Sequence, residues 1–240
     1  MNNTRWNPTT NGAIHLGHIY CLLVNEFSAH ESGGKFYIRF DDTDQAISIE
    51  MEHKERVPAI IKEQKEIIKW LGIPVDGWSK QSDIVDEVHR VMQKNRYIRS
   101  IYSTILVDPY PHTMPYSVRM GSNWLPYPYT PFQTAERVVM DNSLGITHII
   151  RGEEFLTEFS MYRFFCDVFN YKHPQFTFLP RLMGKCGDIS KTSGGYTVAE
   201  LKANGWTPED IFDLLEKACL NWYESGWGLH NLKPDPKVDL

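Results

Sequence analysis

From Leu16 onward, apolar residues recur at 16, 19, 20, 23 and 27, the spacing of an amphipathic helix. The pattern predicts a helix to about His30, after which Gly33-Gly34 turns the chain. Just upstream, residues 5–7 read as the end of a short strand and 8–13 as a polar loop. Downstream, 35–40 ("KFYIRF") is dense in β-formers and predicts a strand that runs into Asp41-Asp42-Thr43-Asp44. Val57, Ile60, Ile61, Ile68 and Leu71 mark a second helix, ended by Gly72 and Pro74, and 82–100 a third, polar one. The proline-rich stretch 108–132 reads as a long loop or small insertion with no regular core. The run "ITHIIR" at 146–151 fits a buried parallel strand, and an aromatic-rich helix follows over 154–169. Thr197 and Glu200 form a capping box, Gly205 stops that helix, and Thr207-Pro208 opens the last one. No period is evident after Gly226.

Strands alternating with helices predict an α/β fold with a parallel sheet. Ligands bind such sheets at the carboxyl ends of the strands. The loops at 8–15, 41–45 and 151–154 are therefore the candidate site, and they hold histidines, carboxylates and an arginine.

Composition narrows the class. The 240 residues are 42% hydrophobic and 23% charged, which fits a globular protein with a sizeable core. No apolar run is long enough to span a bilayer, and the N-terminus lacks a basic-then-apolar leader, so a cytoplasmic protein without membrane contact is expected. Cys21, Cys166, Cys186 and Cys219 are far apart and form no CxxC arm; Cys21 and Cys166 lie in apolar runs as small core residues. A net charge of −5 argues against a large DNA or RNA surface. Arg90, Lys94, Arg96 and Arg99 form one modest basic cluster, either a solvated helix face or an RNA contact.

Four motifs carry candidate chemistry. In "NPTTNGAIHLGH", His15 and His18 lack a third metal ligand and the HExxH pattern, so no metal site is expected. They are core histidines or a phosphate-handling pair. For the latter, Gly17 lets an anion approach a helix N-terminus while the imidazoles donate to phosphate oxygens. The "FDDTD" run is a capping turn or a set of carboxylates facing an ammonium, ribose hydroxyls or Mg²⁺. Arg151 ends a buried strand, which calls for either a structural ion pair or a substrate carboxylate held by its fork. "DISKTSGG" at 188–195 is a surface loop or a mobile loop that brings Lys191 to phosphates.

Taken in order, "RWNPTTNGAIHLGH", "GGKFYIRFDDTD", "ITHIIRGEEFL" and "DISKTSGG" resemble the catalytic domain of glutamyl-tRNA synthetases, which are class I aminoacyl-tRNA synthetases. His15–His18 match the family's HIGH motif and Ser190-Lys191 the SK of its KMSKS-type loop. The resemblance covers most of residues 4–220. It implies a Rossmann-like core over 1–100 and 127–195, a shortened insertion over 101–126, and C-terminal helices and tail over 196–240. It also implies ATP-dependent activation of glutamate, or a similar acidic amino acid, to an adenylate, with ATP and its Mg²⁺ and without zinc. Transfer to a tRNA acceptor end would follow.

Carried over by position, His15, His18 and Lys191 would be catalytic, and Thr10, Gly17, Ser190 and Lys191 would bind ATP. Arg5, Asn7, Thr9, Asp41, Gln133, Arg137 and Arg151 would line the amino-acid pocket. Arg5 and Arg151 would read carboxylates, and Asp41 the ammonium. The departures are specific. Asp41 stands where the family has Glu, Gln133 near a usual Tyr, Arg137 near a usual Asn, and Asp188 at the loop's first lysine. A short middle segment and short tail, with no room for an anticodon-binding domain, leave a second expectation open: an adenylating enzyme with a non-tRNA acceptor. A nucleotidyltransferase would share the HxGH turn but would not need "FDDTD" or "IRGEE".

Overall fold

The computed structural model describes residues 1–8, 10, 12–42, 51–94, 116–120, 123–127, 131–184, 187–188 and 197–224. Strand β1 (Thr4–Trp6) leads through helix α1 (Leu16–Glu31) to β2 (Phe36–Phe40). Helix α2 (Met51–Trp70) then leads to β3 (Gly77–Lys80), followed by α3 (Gln81–Lys94). These three strands form one parallel sheet in the order β1-β2-β3, with Arg5 opposite Tyr37 and Ile38 opposite Trp78. A second βαβ unit holds β6 (His148–Gly152), α5 (Glu158–Phe169) and β7 (Gln175–Leu179), with β6 and β7 parallel. Helix α4 (Pro131–Ser143) precedes it. The backbone N–H groups of Thr147 and His148 both donate to Asn3 O, at 2.9 and 3.1 Å, so β6 lies beside β1. The strand direction of travel therefore reverses at β1 and β6. A crevice at that reversal is where open α/β sheets place ligands.

Strand alternation sorts the two faces. Phe36, Ile38 and Phe40 are fully buried in an apolar cluster with α1, α2 and the C-terminal helices α6 (Val198–Ala203) and α7 (Pro208–Glu224). Tyr37 belongs to a second cluster built on α3, α4 and α5, around Val139, Met140, Ile149 and Phe165. Arg39, two residues on from Tyr37, shares that second face, as does Arg5 opposite Tyr37.

Several predicted elements are present: α1, β2, α2, β6, α5, and the capping box on Thr197, whose Oγ1 accepts from the Glu200 N–H. Three corrections apply. The stretch 108–132 is not irregular throughout. It carries an antiparallel hairpin of β4 (Tyr116–Met120) and β5 (Asn123–Tyr127). Helix α4 begins at Pro131, a proline serving at the first helical position rather than as a breaker. In α1 the buried stripe runs through Leu16, Ile19, Leu22 and Asn25, while Phe27 is exposed. The stripe shifts because α1 packs over both β1 and β6, and Asn25 Nδ2 donates to Ile150 O at 3.0 Å. Among the described residues, no helix is long and apolar enough to cross a membrane. Arg90 and Lys94 are exposed on α3, with Arg90 paired to Glu87; Arg96 and Arg99 lie outside the described residues.

Candidate active site

The turn from β1 into α1 builds the first wall. His15 is the N-cap residue, in extended conformation, and its carbonyl accepts from the N–H groups of His18 and Ile19 at 2.9 and 3.2 Å. The His15 N–H in turn donates to His18 Nδ1 at 3.3 Å. An accepting Nδ1 fixes the neutral tautomer of His18, which carries its proton on Nε2. The two imidazoles stack with centroids 3.7 Å apart, and Trp6 meets His18 edge-on. The pair thus has one geometry, set by the start of the helix.

These residues open onto a cleft of about 490 Å³. Trp6, Asn7 and Pro8 line it from the end of β1, and His15, Gly17 and His18 from the start of α1. Arg151 and Gly152 close it from the end of β6, and Pro180 and Arg181 from the end of β7. Most of the lining comes from carboxyl ends of strands and the start of a helix, which bring two imidazoles and the Arg151 and Arg181 side chains to one cavity; Glu154 adds a carboxylate. The loop expected to bring Lys191 has its two flanks described. β8 (Met183–Gly184) and β9 (Gly187–Asp188) pair before it. After it, Thr197 forms a bridge to His15, and the Val198 N–H donates to Ile14 O at 2.9 Å.

On the α4 face of the sheet lies a network of buried charges. Asp141 accepts from Arg5 Nε and Nη2 at 3.0 Å each, from Arg39 Nη1 at 2.8 Å, and from Tyr162 Oη at 2.9 Å. Burial pushes the Asp141 pKa up, but Arg5 and Arg39 outweigh it and hold the group at about 2. The same pairing, with Tyr162 and Asp41 adding to it, overcomes desolvation and raises the Arg5 pKa. Asp41 accepts from Arg39 Nε at 3.0 Å and from Asn7 Nδ2 at 2.9 Å, with Arg137 Nη2 at 3.8 Å. Its pKa is lowered: burial opposes ionisation, and Arg39 and Arg137 prevail.

Arg151 makes the structural ion pair that was one of its two expected roles. Its Nη1 pairs with Glu158, which is buried at the start of α5, and its guanidinium lies 3.7 Å from the Phe155 ring centroid. It also lines the cleft. Cys21 lines it too, but burial pushes the thiol up to about 12, which leaves it no thiolate near neutral pH.

The predicted residues fall in different places. Asn7, His15, Gly17, His18 and Arg151 meet at the cleft. Arg5, Asp41 and Arg137 are buried one layer away, joined to the cleft wall through Asn7. Thr10, expected at ATP, is buried and donates to the Asp41 carbonyl at 3.2 Å. Gln133 lies half-buried on α4, one turn before Arg137 and two before Asp141. Thr9, Ser190 and Lys191 lie outside the described residues. Sequence reasoning missed Arg39, Asp141, Glu158 and Tyr162. Arg39 left one signal: a charge inside the apolar strand "KFYIRF" requires a buried partner.

Residues 2–95 and 113–223 match the family of tRNA synthetases class I (E and Q), catalytic domain. The glutamate–tRNA ligase 2 of Rickettsia typhi is 25% identical over 278 residues, spanning 91% of this chain and 57% of that protein. The glutamate–tRNA ligase 2 of Ruegeria sp. is 23% identical over 283 residues, spanning 90% of this chain and 61% of that one. The crystal structure of a glutamate tRNA ligase from Elizabethkingia meningosepticum, in complex with its amino acid, shares the fold. Its TM-score is 0.64 at 17% identity, over 89% of this chain and 60% of that one. The chain thus spans about three-fifths of the length of these relatives.

Proposed function

Because the chain belongs to the class I tRNA synthetases of the E and Q type, we propose that it activates glutamate, or a similar acidic amino acid, with ATP. The acyl group then passes to a tRNA or a tRNA-like acceptor. One observation carries the reading: the stacked His15–His18 pair at the start of α1 lines the same cleft as Arg151. A helix N-terminus with two imidazoles suits phosphates, and a guanidinium suits a carboxylate.

In the reaction the amino acid's carboxylate oxygen forms a bond to the α-phosphorus of ATP. The bond from that phosphorus to the bridging oxygen breaks, and pyrophosphate leaves with the electron pair. No covalent nucleophile from the protein is needed; positioning and electrostatics lower the barrier. His18, protonated on Nε2, donates to a phosphate oxygen as negative charge builds. Gly17 keeps side-chain bulk away from the helix start. Mg²⁺ would arrive on the phosphates of ATP and neutralise part of their charge. Lys191 would add a second cation from the loop whose far end is tied to His15 through Thr197. Arg151, Asn7 and Gln133 would hold the amino acid, with Arg5, Asp41 and Arg137 behind them.

A second reading keeps activation and changes the acceptor to a small amine, a thiol or a carrier protein. The net charge of −5 favours it, since binding a polyanion draws on clustered Lys and Arg. Two assays separate the cases. Pyrophosphate exchange screened over all amino acids, with and without tRNA, should single out an acidic one. Labelled glutamate should then appear on purified tRNA; exchange without tRNA labelling selects the second reading.

A further inference from the structure

We infer that Asn7, rather than Asp41, receives the substrate's amino group, and that Asp41 is a positioning residue that turns the Asn7 amide for this task. The inference rests on the proposed activation of an acidic amino acid and assigns the recognition of its ammonium to a different residue.

The Asp41 carboxylate is already committed. Oδ1 accepts from Arg39 Nε at 3.0 Å, and Oδ2 accepts from Asn7 Nδ2 at 2.9 Å. Arg137 Nη2 stands 3.8 Å from the same oxygen. The residue is 1% exposed and does not line the cleft. An ammonium group reaching Asp41 would have to displace Asn7 and sit against two guanidinium groups. Like charges at that range repel. The carboxylate is therefore spent on holding its neighbours.

What it holds is informative. An ionised carboxylate only accepts hydrogen bonds, so it demands the NH₂ end of the Asn7 amide. Asp41 stays ionised across the working range, because Arg39 and Arg137 outweigh its burial. The amide orientation is therefore set by chemistry. No other hydrogen bond of the Asn7 side chain occurs among the described residues, and Asn7 lines the cleft. The amide's remaining end is Oδ1, an uncharged acceptor. Elsewhere in the cleft, Arg151 supplies donors only, and Glu154 adds a carboxylate whose share in ammonium binding Asn7 variants would leave intact. A ligand meeting both walls carries an acid group for Arg151 and a donor for Asn7 Oδ1. An amino acid has that pairing, and the same acid stripped of its amine does not.

The test compares glutamate with glutarate, its counterpart without the amino group, by calorimetry on the protein bound to an ATP analogue that cannot react at its α-phosphorus. Glutamate should bind about 10- to 100-fold more tightly, the ordinary range for one hydrogen bond to a charged group. Asn7→Leu, close in volume, should bring the ratio toward unity by weakening glutamate, with glutarate and analogue affinities within about twofold of wild type. Asp41→Asn should lower the ratio as well, because a neutral amide partner no longer fixes which end of Asn7 faces the cleft. If Asn7→Leu does not fold, Asn7→Ser, which keeps one oxygen on a shorter arm, should lie between wild type and unity. A ratio unchanged in these variants overturns the inference and leaves the activation reading intact. Failure of wild type to bind glutamate at all overturns both.

Discussion

At the residue scale, the histidine pair does two jobs that a variant can separate. The His15 backbone caps α1 whatever its side chain, whereas the imidazoles face the cleft. His18→Ala should therefore slow adenylate formation about 100-fold, the usual effect of losing one transition-state donor. The loss of one weak side-chain cap should lower the melting temperature by only a few degrees. Single-turnover kinetics beside thermal melting check this; a large melting shift with normal rates would make His18 structural. Asp141 has the opposite character. Its pKa, held near 2 by Arg5 and Arg39 against an ordinary 3.8, lies lower folded than unfolded. Its stabilisation is therefore complete above about pH 4 and lost as pH falls toward 2, amounting to about 2 kcal/mol. Asp141→Asn should remove that slope in denaturant titrations and destabilise the protein at pH 7 by about 3 kcal/mol, because buried Arg5 loses its paired carboxylate and Arg39 keeps only Asp41. The contrast explains what the sequence discloses. His15, Gly17 and His18 sit within one helical turn, so their chemistry is local and legible. Asp141 meets Arg5 across 136 positions, and nothing in the run "VVMDNS" announces that partner.

At the element scale, the joint between β1, α1 and β2 depends on a close approach. A Cβ at Gly34 would lie 2.0 Å from the Asn2 carbonyl oxygen, a backbone atom. Gly34→Ala should force the two segments apart and destabilise by about 1–3 kcal/mol in denaturant titrations. The end of α5 gives a second test. Asn170 is in the left-handed region, φ 57° and ψ 43°, and its N–H donates back to Asp167 and Cys166 carbonyls. Asn170→Gly should be neutral or slightly stabilising, and Asn170→Val destabilising by about 1–2 kcal/mol, measured in the same way. Elements with a clean period were legible: α1, β2 and β6 followed directly from apolar spacing. The missed ones lack it for physical reasons. Helix α4 buries Thr134, Glu136, Arg137 and Asp141 as well as its apolar residues, so polarity does not mark its outer face. Strand β3 is four residues long, and its one large apolar side chain, Trp78, is exposed. In β5, Pro126 lies within the strand, a position that sequence reasoning assigns to loops.

At the scale of the whole molecule, the two βαβ units place their strand ends together, and the cleft lies where their directions of travel diverge. That placement makes the order of the four motifs meaningful: three of them contribute walls or supports to one cavity, and the fourth begins beside β8 and β9. Buried guanidinium groups pair with Asp41 and Asp141 on the α4 face, and the cleft gathers the imidazoles, Arg151 and Glu154. An ATP-dependent acid activation is the chemistry we propose for this arrangement. The measurement that tests it most directly is glutamate-dependent exchange of labelled pyrophosphate into ATP, run with and without tRNA on wild type and His18→Ala. Exchange by wild type that falls about 100-fold in the folded variant is the predicted result. No exchange with any amino acid, in the presence or absence of tRNA, would contradict the account.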